Sequence, residues 1–171
     1  MELRIPVLAQ HADLVGTGQV TGFVSPEALR LGGARGSLLN HSEHPLSTGL
    51  LRALNRRLAQ LELVSVVCAR DVSNSRALAH LRPPYLAVEP PELIGGTRSV
   101  STARPEVVAD SVAAVRSVSK RTTVLCGAGV HDRHDVRKAL ELGSQGVLVA
   151  SAVARARNPG AAIRELLAGF S

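Results

Sequence analysis

The sequence has very few aromatic residues and only two lysines. Aromatic side chains make up 2% of its 171 residues, and tryptophan is absent. The chain therefore has few aromatic side chains that could stack on nucleic-acid bases or form a cage around a ligand. The formal net charge is +6 and comes from scattered arginines. Because no basic block stands out, we expect no nucleic-acid partner, and a small anionic ligand is equally compatible with the charge.

Long apolar runs and cysteine clusters are also missing. No stretch approaches the length that spans a bilayer, and residues 1–10 lack the profile of a secretory signal. We therefore expect a cytoplasmic protein with no membrane partner, long enough for one domain with its own core. Cys68 and Cys126 each lie inside an apolar segment. This setting predicts two buried, reduced thiols.

Short apolar runs recur along the chain and are continuous rather than alternating, as expected for parallel strands buried on both faces. They cover residues 5–9, 36–40, 63–69, 85–89, 122–126 and 146–150. Helical segments separate these runs, and several have typical helix starts: Ser25-Pro26, Pro105-Glu106 and Asn158-Pro159. The alternation of strand and helix, repeated six times, predicts an α/β fold, either an open doubly wound sheet or a (β/α) barrel.

Glu89 ends one of the predicted strands, at the edge where both architectures place their chemistry. A carboxylate leaving a buried strand tends to have a raised pKa, which suits a general base. The loop that follows has prolines at one end and glycines at the other, as in a lid that moves about hinges. The alternative interpretation, an N-cap or surface acid, fits poorly beside an apolar strand.

Small residues follow the last two strands, at Gly127-Ala128-Gly129 and at Ala150-Ser151. Such residues let backbone N–H groups approach an anion closely, and a helix N-terminus behind them favours negative charge. Each segment alone could be only a tight turn. Two in succession on the last two strands match the usual phosphate site of a barrel.

Three other motifs carry weaker signals. His41 and His44 are three residues apart in HSEH, but the Cys pair of a zinc deaminase does not follow, so a metal site is disfavoured. A locally bonded loop histidine is an equal alternative for His41. HDRHD (131–135) predicts the start of an exposed helix. GTGQVTG (16–22) has its third glycine one position too late for a dinucleotide loop and predicts a flexible loop.

Four of these segments, NHSEH, AVEPPELIG, VLCGAG and GVLVASAV, together resemble triosephosphate isomerase, specifically its compact archaeal-type branch. The similarity runs from about Ile5 to the C-terminus, with the motifs in family order. The resemblance implies a (β/α)8 TIM-barrel fold and the interconversion of glyceraldehyde 3-phosphate and dihydroxyacetone phosphate, without metal or cofactor.

The same resemblance implies a role for each candidate residue. Glu89 corresponds to the base that moves a proton between carbons, and His41 to the neutral electrophile that polarises the carbonyl. This family is itself the known example of such an assignment. Ser42, Glu43 and His44 would orient His41 or the helix behind it. Residues 90–97 correspond to the lid. The backbone that holds substrate and phosphate falls at Ile94, Gly129, Ala150 and Ser151.

One expected element is missing. The family has Asn-x-Lys at the end of its first strand, where the lysine charge meets the phosphate and the developing oxyanion. No lysine precedes His41, and the run 5–9 resembles the third strand. We therefore expect residues 1–171 to form a single barrel domain that lacks the first two β/α units at its N-terminus, with doubtful activity. Arg98 is a candidate for part of the missing charge.

Three interpretations remain open. The first is a triosephosphate isomerase whose first two β/α units are encoded upstream of Met1. Because family members are dimers or tetramers whose third loop, here GTGQVTG, reaches a neighbour, we expect self-association. The second is a catalytically impaired relative that binds phosphorylated metabolites or a protein partner without turnover. The third is another phosphate-binding barrel enzyme. We rank it last because those enzymes need longer loops and other catalytic pairs.

Overall fold

The structure, a computed structural model, describes residues 5–96 and 99–171, and in them short strands alternate with helices. The strands are β1 (Leu8–Ala9), β2 (Gly36–Leu39), β3 (Val64–Ala69), β4 (Tyr85–Val88), β5 (Thr123–Cys126) and β6 (Gly146–Val147). The helices are α1 (Pro26–Leu31), α2 (Thr48–Gln60), α3 (Val72–Ala79), α4 (Val100–Ala103), α5 (Pro105–Val118), α6 (Arg133–Glu141), α7 (Ser151–Ala154) and α8 (Pro159–Leu167). Two 3-10 turns cover Pro91–Leu93 and Ala168–Phe170. The predicted alternation is confirmed, although β1 and β6 are shorter than expected, since each pairs over only two residues.

The described chain forms two compact units. The N-terminal unit consists of residues up to Cys68 together with Pro83–Tyr85, and the C-terminal unit consists of Ala69–Arg82 and Leu86–Ser171. Each unit is built from β/α segments.

In the N-terminal unit, β1, β2 and β3 are parallel and pair in chain order. Gly36 pairs with Val64, and a Cβ atom at Gly36 would lie 2.0 Å from the Val64 carbonyl oxygen. Only glycine allows this approach of the two strands. Helix α2 begins after the N-cap Ser47, whose side chain accepts from the Leu50 amide, and it buries three leucines: Leu51, Leu54 and Leu58.

In the C-terminal unit, an apolar cluster joins strands and helices. Its buried members are Val100, Val108, Cys126, Ala128, Val130, Val136, Ala139 and Leu166. Helix α5 has proline at its start, as predicted, and buries one apolar face that includes Val108, Val112 and Val115. Helix α6 begins directly after the N-cap Asp132, within HDRHD, and this predicted helix start is confirmed.

Both cysteines are free and buried, at 3% exposure for Cys68 and none for Cys126, so the prediction of buried thiols is confirmed. None of the helices among residues 5–96 and 99–171 has the length and apolar character needed to cross a membrane.

Candidate active site

Glu89 directly follows β4 in the C-terminal unit, and its side chain is almost completely buried. Its backbone amide donates a hydrogen bond to the Ala69 carbonyl at 2.7 Å, and the Gly127 amide donates to the Val88 carbonyl at 3.0 Å. A Cβ atom at Gly127 would lie 2.4 Å from Glu89 Cγ. The carboxylate therefore lies against the first residue after β5, where only glycine leaves it room.

The turn after β5 has an unusual backbone. Ala128 and Gly129 both have positive φ angles, +65° and +71°. For alanine this left-handed conformation is strained, and it persists only where the surroundings hold it. The Ala128 side chain is buried and its carbonyl accepts from the Val100 amide at 3.1 Å, at the start of α4. The small residues at 127–129 are evident in the sequence, but nothing in the sequence indicates the strained backbone of Ala128.

The segment after β6 lies at the same edge of the strands. Cys126 pairs with Val147, and the Leu148 amide donates to the Cys126 carbonyl at 2.9 Å. Because β5 and β6 are parallel, the chain leaves both strands at one edge. Ala150 is the N-cap residue of α7 and Ser151 is the first residue of that helix.

The predicted lid begins at Pro90 and is described as far as Gly96. Ile94 is half-buried and packs against the apolar cluster of the C-terminal unit, and its amide donates to the Pro91 carbonyl at 3.3 Å. Glu92 forms a hydrogen-bonded ion pair with Arg104 at 2.6 Å, between α4 and α5. The end of the lid at Thr97 and the candidate charge Arg98 lie outside the described residues.

Cys126 lies at the end of β5, next in sequence to the glycine that faces Glu89. Burial raises the pKa of this thiol to about 12, and the negative charges of Asp135 and Glu89 add to the effect. The thiol is therefore protonated near neutral pH, and it lacks the thiolate that a nucleophile needs.

His41 lies in the N-terminal unit, one residue after Asn40 at the end of β2. Asn40 has a left-handed backbone with φ of +61°, which asparagine tolerates better than most residues. Its side-chain amide donates to the Cys68 carbonyl at 2.9 Å and accepts from the Leu46 amide at 3.0 Å. Asn40 thus fixes both ends of the loop that carries His41, a role that sequence reasoning missed.

The His41 ring is mostly buried, with 19% of its side chain exposed. The Glu43 backbone N–H donates to His41 Nδ1 at 3.3 Å, and the Glu43 carboxylate lies 3.4 Å from the same nitrogen. The first contact needs an unprotonated Nδ1 and the second a protonated one. A backbone N–H can only donate, and the Glu43 side chain is exposed, so we assign the neutral tautomer with its proton on Nε2.

His44 contacts the ring of His11, with the two ring centroids 4.9 Å apart. His11 Nε2 also lies 3.3 Å from an Asp13 carboxylate oxygen. Among the residues that the structure describes, no three His, Cys, Asp or Glu side chains cluster in a way that could hold a metal ion.

Five of the six candidate residues lie in the C-terminal unit: Glu89, Ile94, Gly129, Ala150 and Ser151. The strand ends bring Glu89, Gly129 and the Ala150-Ser151 pair to one edge of that unit. His41 belongs to the N-terminal unit, at the corresponding end of β2.

Comparison with known proteins gives a consistent result. The family model for triosephosphate isomerase matches residues 1–166. A triosephosphate isomerase of Cenarchaeum symbiosum is 49% identical over 167 residues, which are 98% of this chain and 75% of that protein. The enzymes of Methanocaldococcus jannaschii and Methanosarcina barkeri are 46% and 45% identical, over 96% and 97% of this chain. Each of these relatives is matched over 75% of its own length.

Proposed function

The chain belongs to the triosephosphate isomerase family, and from that premise we propose that it interconverts glyceraldehyde 3-phosphate and dihydroxyacetone phosphate by proton transfer, with Glu89 as the base. The TIM-barrel family and the isomerase class follow from the matches. The relatives all carry the isomerase name, so an impaired binding protein is not favoured. The roles of individual residues are the proposal.

The single observation that supports Glu89 best is its position against Gly127. The carboxylate is buried at a strand end, where water competes little for the proton that it abstracts. In the proposed reaction, Glu89 removes a proton from the carbon next to the substrate carbonyl and returns it to the neighbouring carbon. A base that shuttles one proton between adjacent carbons needs a fixed position, which the close contact with Gly127 provides.

The proposed partner of Glu89 is the neutral imidazole of His41. With Nδ1 occupied by the Glu43 amide, Nε2–H is the donor left to polarise a carbonyl oxygen. Neutral imidazole as electrophile is the established assignment for this family. Ile94, Gly129, Ala150 and Ser151 are proposed to hold the substrate and its phosphate through their backbones. In support, the last three follow adjacent parallel strands at one edge.

The absence of a lysine before His41 lowers the expected rate. Removing one electrostatic donor from a developing oxyanion typically costs about 100- to 1000-fold in turnover. We therefore propose that residues 1–171 by themselves turn over slowly and that this turnover depends on Glu89.

Self-association is a further part of the proposal. The loop GTGQVTG corresponds to the family's contact with a neighbouring subunit, and exposed Leu14 and Phe23 flank it, at 46% and 58% exposure. A second copy of the chain is the proposed occupant of this surface. The cytoplasm is the proposed location, in keeping with the family of glycolytic enzymes to which the chain belongs.

The test is an isomerase assay on the 171-residue chain and its Glu89→Gln variant, both made in a host without its own isomerase. Titration of each with dihydroxyacetone phosphate by calorimetry reports binding separately. We expect turnover that disappears in Glu89→Gln while binding remains. Equal turnover in both proteins would exclude Glu89 as the base, and binding without turnover in the unmodified chain would favour the impaired relative instead.

A further inference from the structure

His131, in the motif HDRHD, hydrogen-bonds to the described end of the lid. Its ring nitrogen Nε2 lies 2.8 Å from the Gly96 carbonyl oxygen. A carbonyl oxygen can only accept, so Nε2 carries the proton and donates it. Both residues lie in the C-terminal unit, and both are only partly exposed. The proposed function leaves this histidine without a role.

A second set of bonds fixes His131 itself. Its backbone N–H donates to an Asp135 carboxylate oxygen at 2.9 Å, and the other oxygen of Asp135 accepts from the Thr102 hydroxyl at 3.2 Å. The Ser101 hydroxyl donates to the Asp135 backbone carbonyl at 3.2 Å. His131 is thus tied to α6 and, through Asp135, to α4, the helix that follows the lid in the chain.

Besides the packing of Ile94 on the apolar cluster, the described C-terminal half of the lid has few other attachments. The Gly96 amide donates to the Leu93 carbonyl at 3.2 Å, which is a bond within the segment itself. At the other half, the Glu92–Arg104 ion pair attaches the 3-10 turn to the start of α5. Gly95, with φ of +68° and an exposed position, lies between these attachments.

We propose that His131 is a positioning residue that latches the lid at Gly96, the last lid residue that the structure describes. Its Nε2–H holds the Gly96 carbonyl and so sets the conformation of the Ile94–Gly96 backbone. This inference rests on the proposed function in one respect, namely that the Ile94–Gly96 backbone binds the substrate. In this arrangement His131 does not touch the substrate; it determines how much of the time the lid backbone is in the observed conformation.

Hydrogen exchange, measured by mass spectrometry on peptides that cover residues 89–96, tests the latch directly. The variant His131→Phe keeps a planar ring and removes the donor. His131→Gln supplies an amide N–H in its place. His134→Ala is the matched control, because His134 belongs to the same motif and is exposed. Loss of one hydrogen bond predicts about five-fold faster exchange of the lid amides in His131→Phe.

We expect His131→Gln to return exchange to within about two-fold of the unmodified chain, and His134→Ala to have no effect. The dissociation constant of dihydroxyacetone phosphate should rise in His131→Phe by the same factor as the exchange rate. Unchanged lid exchange in His131→Phe, or equal acceleration in His134→Ala, would overturn the latch. If no variant binds the ligand, the proposed function fails, while the exchange rates still decide the latch.

Discussion

The two units differ in how they cover their apolar side chains. In the N-terminal unit, large apolar residues are exposed along the first part of the chain: Ile5, Val7, Leu8, Leu14, Phe23 and Leu31. Helix α1 buries only Pro26, and it contacts α2 and the turn after it through the polar groups of Glu27 and Arg30. The C-terminal unit has a buried apolar cluster that reaches from α4 to α8, and the large apolar residues that it exposes, Ile163, Leu167 and Phe170, lie near the C-terminus. The N-terminal unit buries its apolar residues mainly on α2 and the strands, including Leu51, Leu54 and Leu58.

The two proposed catalytic residues, Glu89 and His41, lie in different units and therefore have different surroundings. Glu89 and the glycine turn after β5 lie beside a cluster of buried apolar residues, whereas the loop of His41 is held by two hydrogen bonds of the Asn40 side chain. Buried apolar contacts resist opening, while a loop held by a few polar bonds opens at lower free energy. We therefore expect the surroundings of Glu89 to open at a higher free energy than the loop of His41.

The largest effect is expected from crowding Glu89. Gly127→Ala would bring Cβ to 2.4 Å from Glu89 Cγ, so Glu89 must move. The free energy of unfolding should fall by about 1–3 kcal/mol, as for other overpacked sites, and turnover should be lost with the displaced base. Urea unfolding and the isomerase assay measure the two effects.

The control for this substitution is Gly49→Ala in α2, where a Cβ atom would meet nothing within 4 Å. That change should leave stability unchanged or raise it by up to about 1 kcal/mol. If Gly127→Ala and Gly49→Ala had the same free energy of unfolding and the same turnover, crowding of Glu89 by a side chain at residue 127 would be excluded.

The next effect concerns the loop of His41. Asn40→Ala removes two side-chain hydrogen bonds and puts alanine at a φ of +61°. We expect unfolding free energy to fall by about 1–3 kcal/mol, with faster amide exchange in residues 40–46. Asn40→Gly should lose less, because glycine adopts this backbone without strain. If Asn40→Gly were as unstable as Asn40→Ala, the loss of stability would come from the missing hydrogen bonds of the Asn40 side chain and not from backbone strain.

A third effect is the pH dependence from Cys126. The pKa of its thiol is about 12 in the folded chain and ordinarily 9.0, so the folded state binds this proton more tightly. The corresponding stability is complete below pH 9 and is lost as pH rises from 9 to about 12, at up to about 1.4 kcal/mol per pH unit. Chemical unfolding between pH 8 and 11 should show a shallower decline in Cys126→Ala. Parallel declines in both proteins would contradict burial of the thiol.

The smallest effect is expected from the ion pair between α1 and α2. Arg57 lowers the pKa of Glu27, and Arg57 Nε lies 2.6 Å from the Glu27 carboxylate. A lowered carboxylate pKa contributes stability above its ordinary pKa, which is lost as pH falls. Glu27→Gln should cost no more than about 1 kcal/mol at pH 7, because the pair is partly exposed. Glu62→Gln, which faces Arg30 on the surface, is the control and should cost less.

The sequence predicted the strands, several helix starts and both buried cysteines, because these depend on local patterns of apolar residues and caps. It predicted that Glu89 ends a strand, and in the structure that strand ends one residue earlier, at Val88. It gave no sign of three features: the strained φ of Ala128, the two bonds of Asn40, and the contact of His131 with Gly96. Each of these joins segments that are distant in the chain or depends on a backbone angle that no residue type requires.

The most direct test of the central claim is proton exchange on the substrate. Dihydroxyacetone phosphate is incubated with the chain in D2O, and NMR follows the hydrogens on the hydroxymethyl carbon next to the carbonyl. We predict that deuterium enters this position with the unmodified chain and not with Glu89→Gln. Incorporation at equal rates in the two proteins, or at the rate of buffer alone in both, would contradict Glu89 as the base that moves this proton.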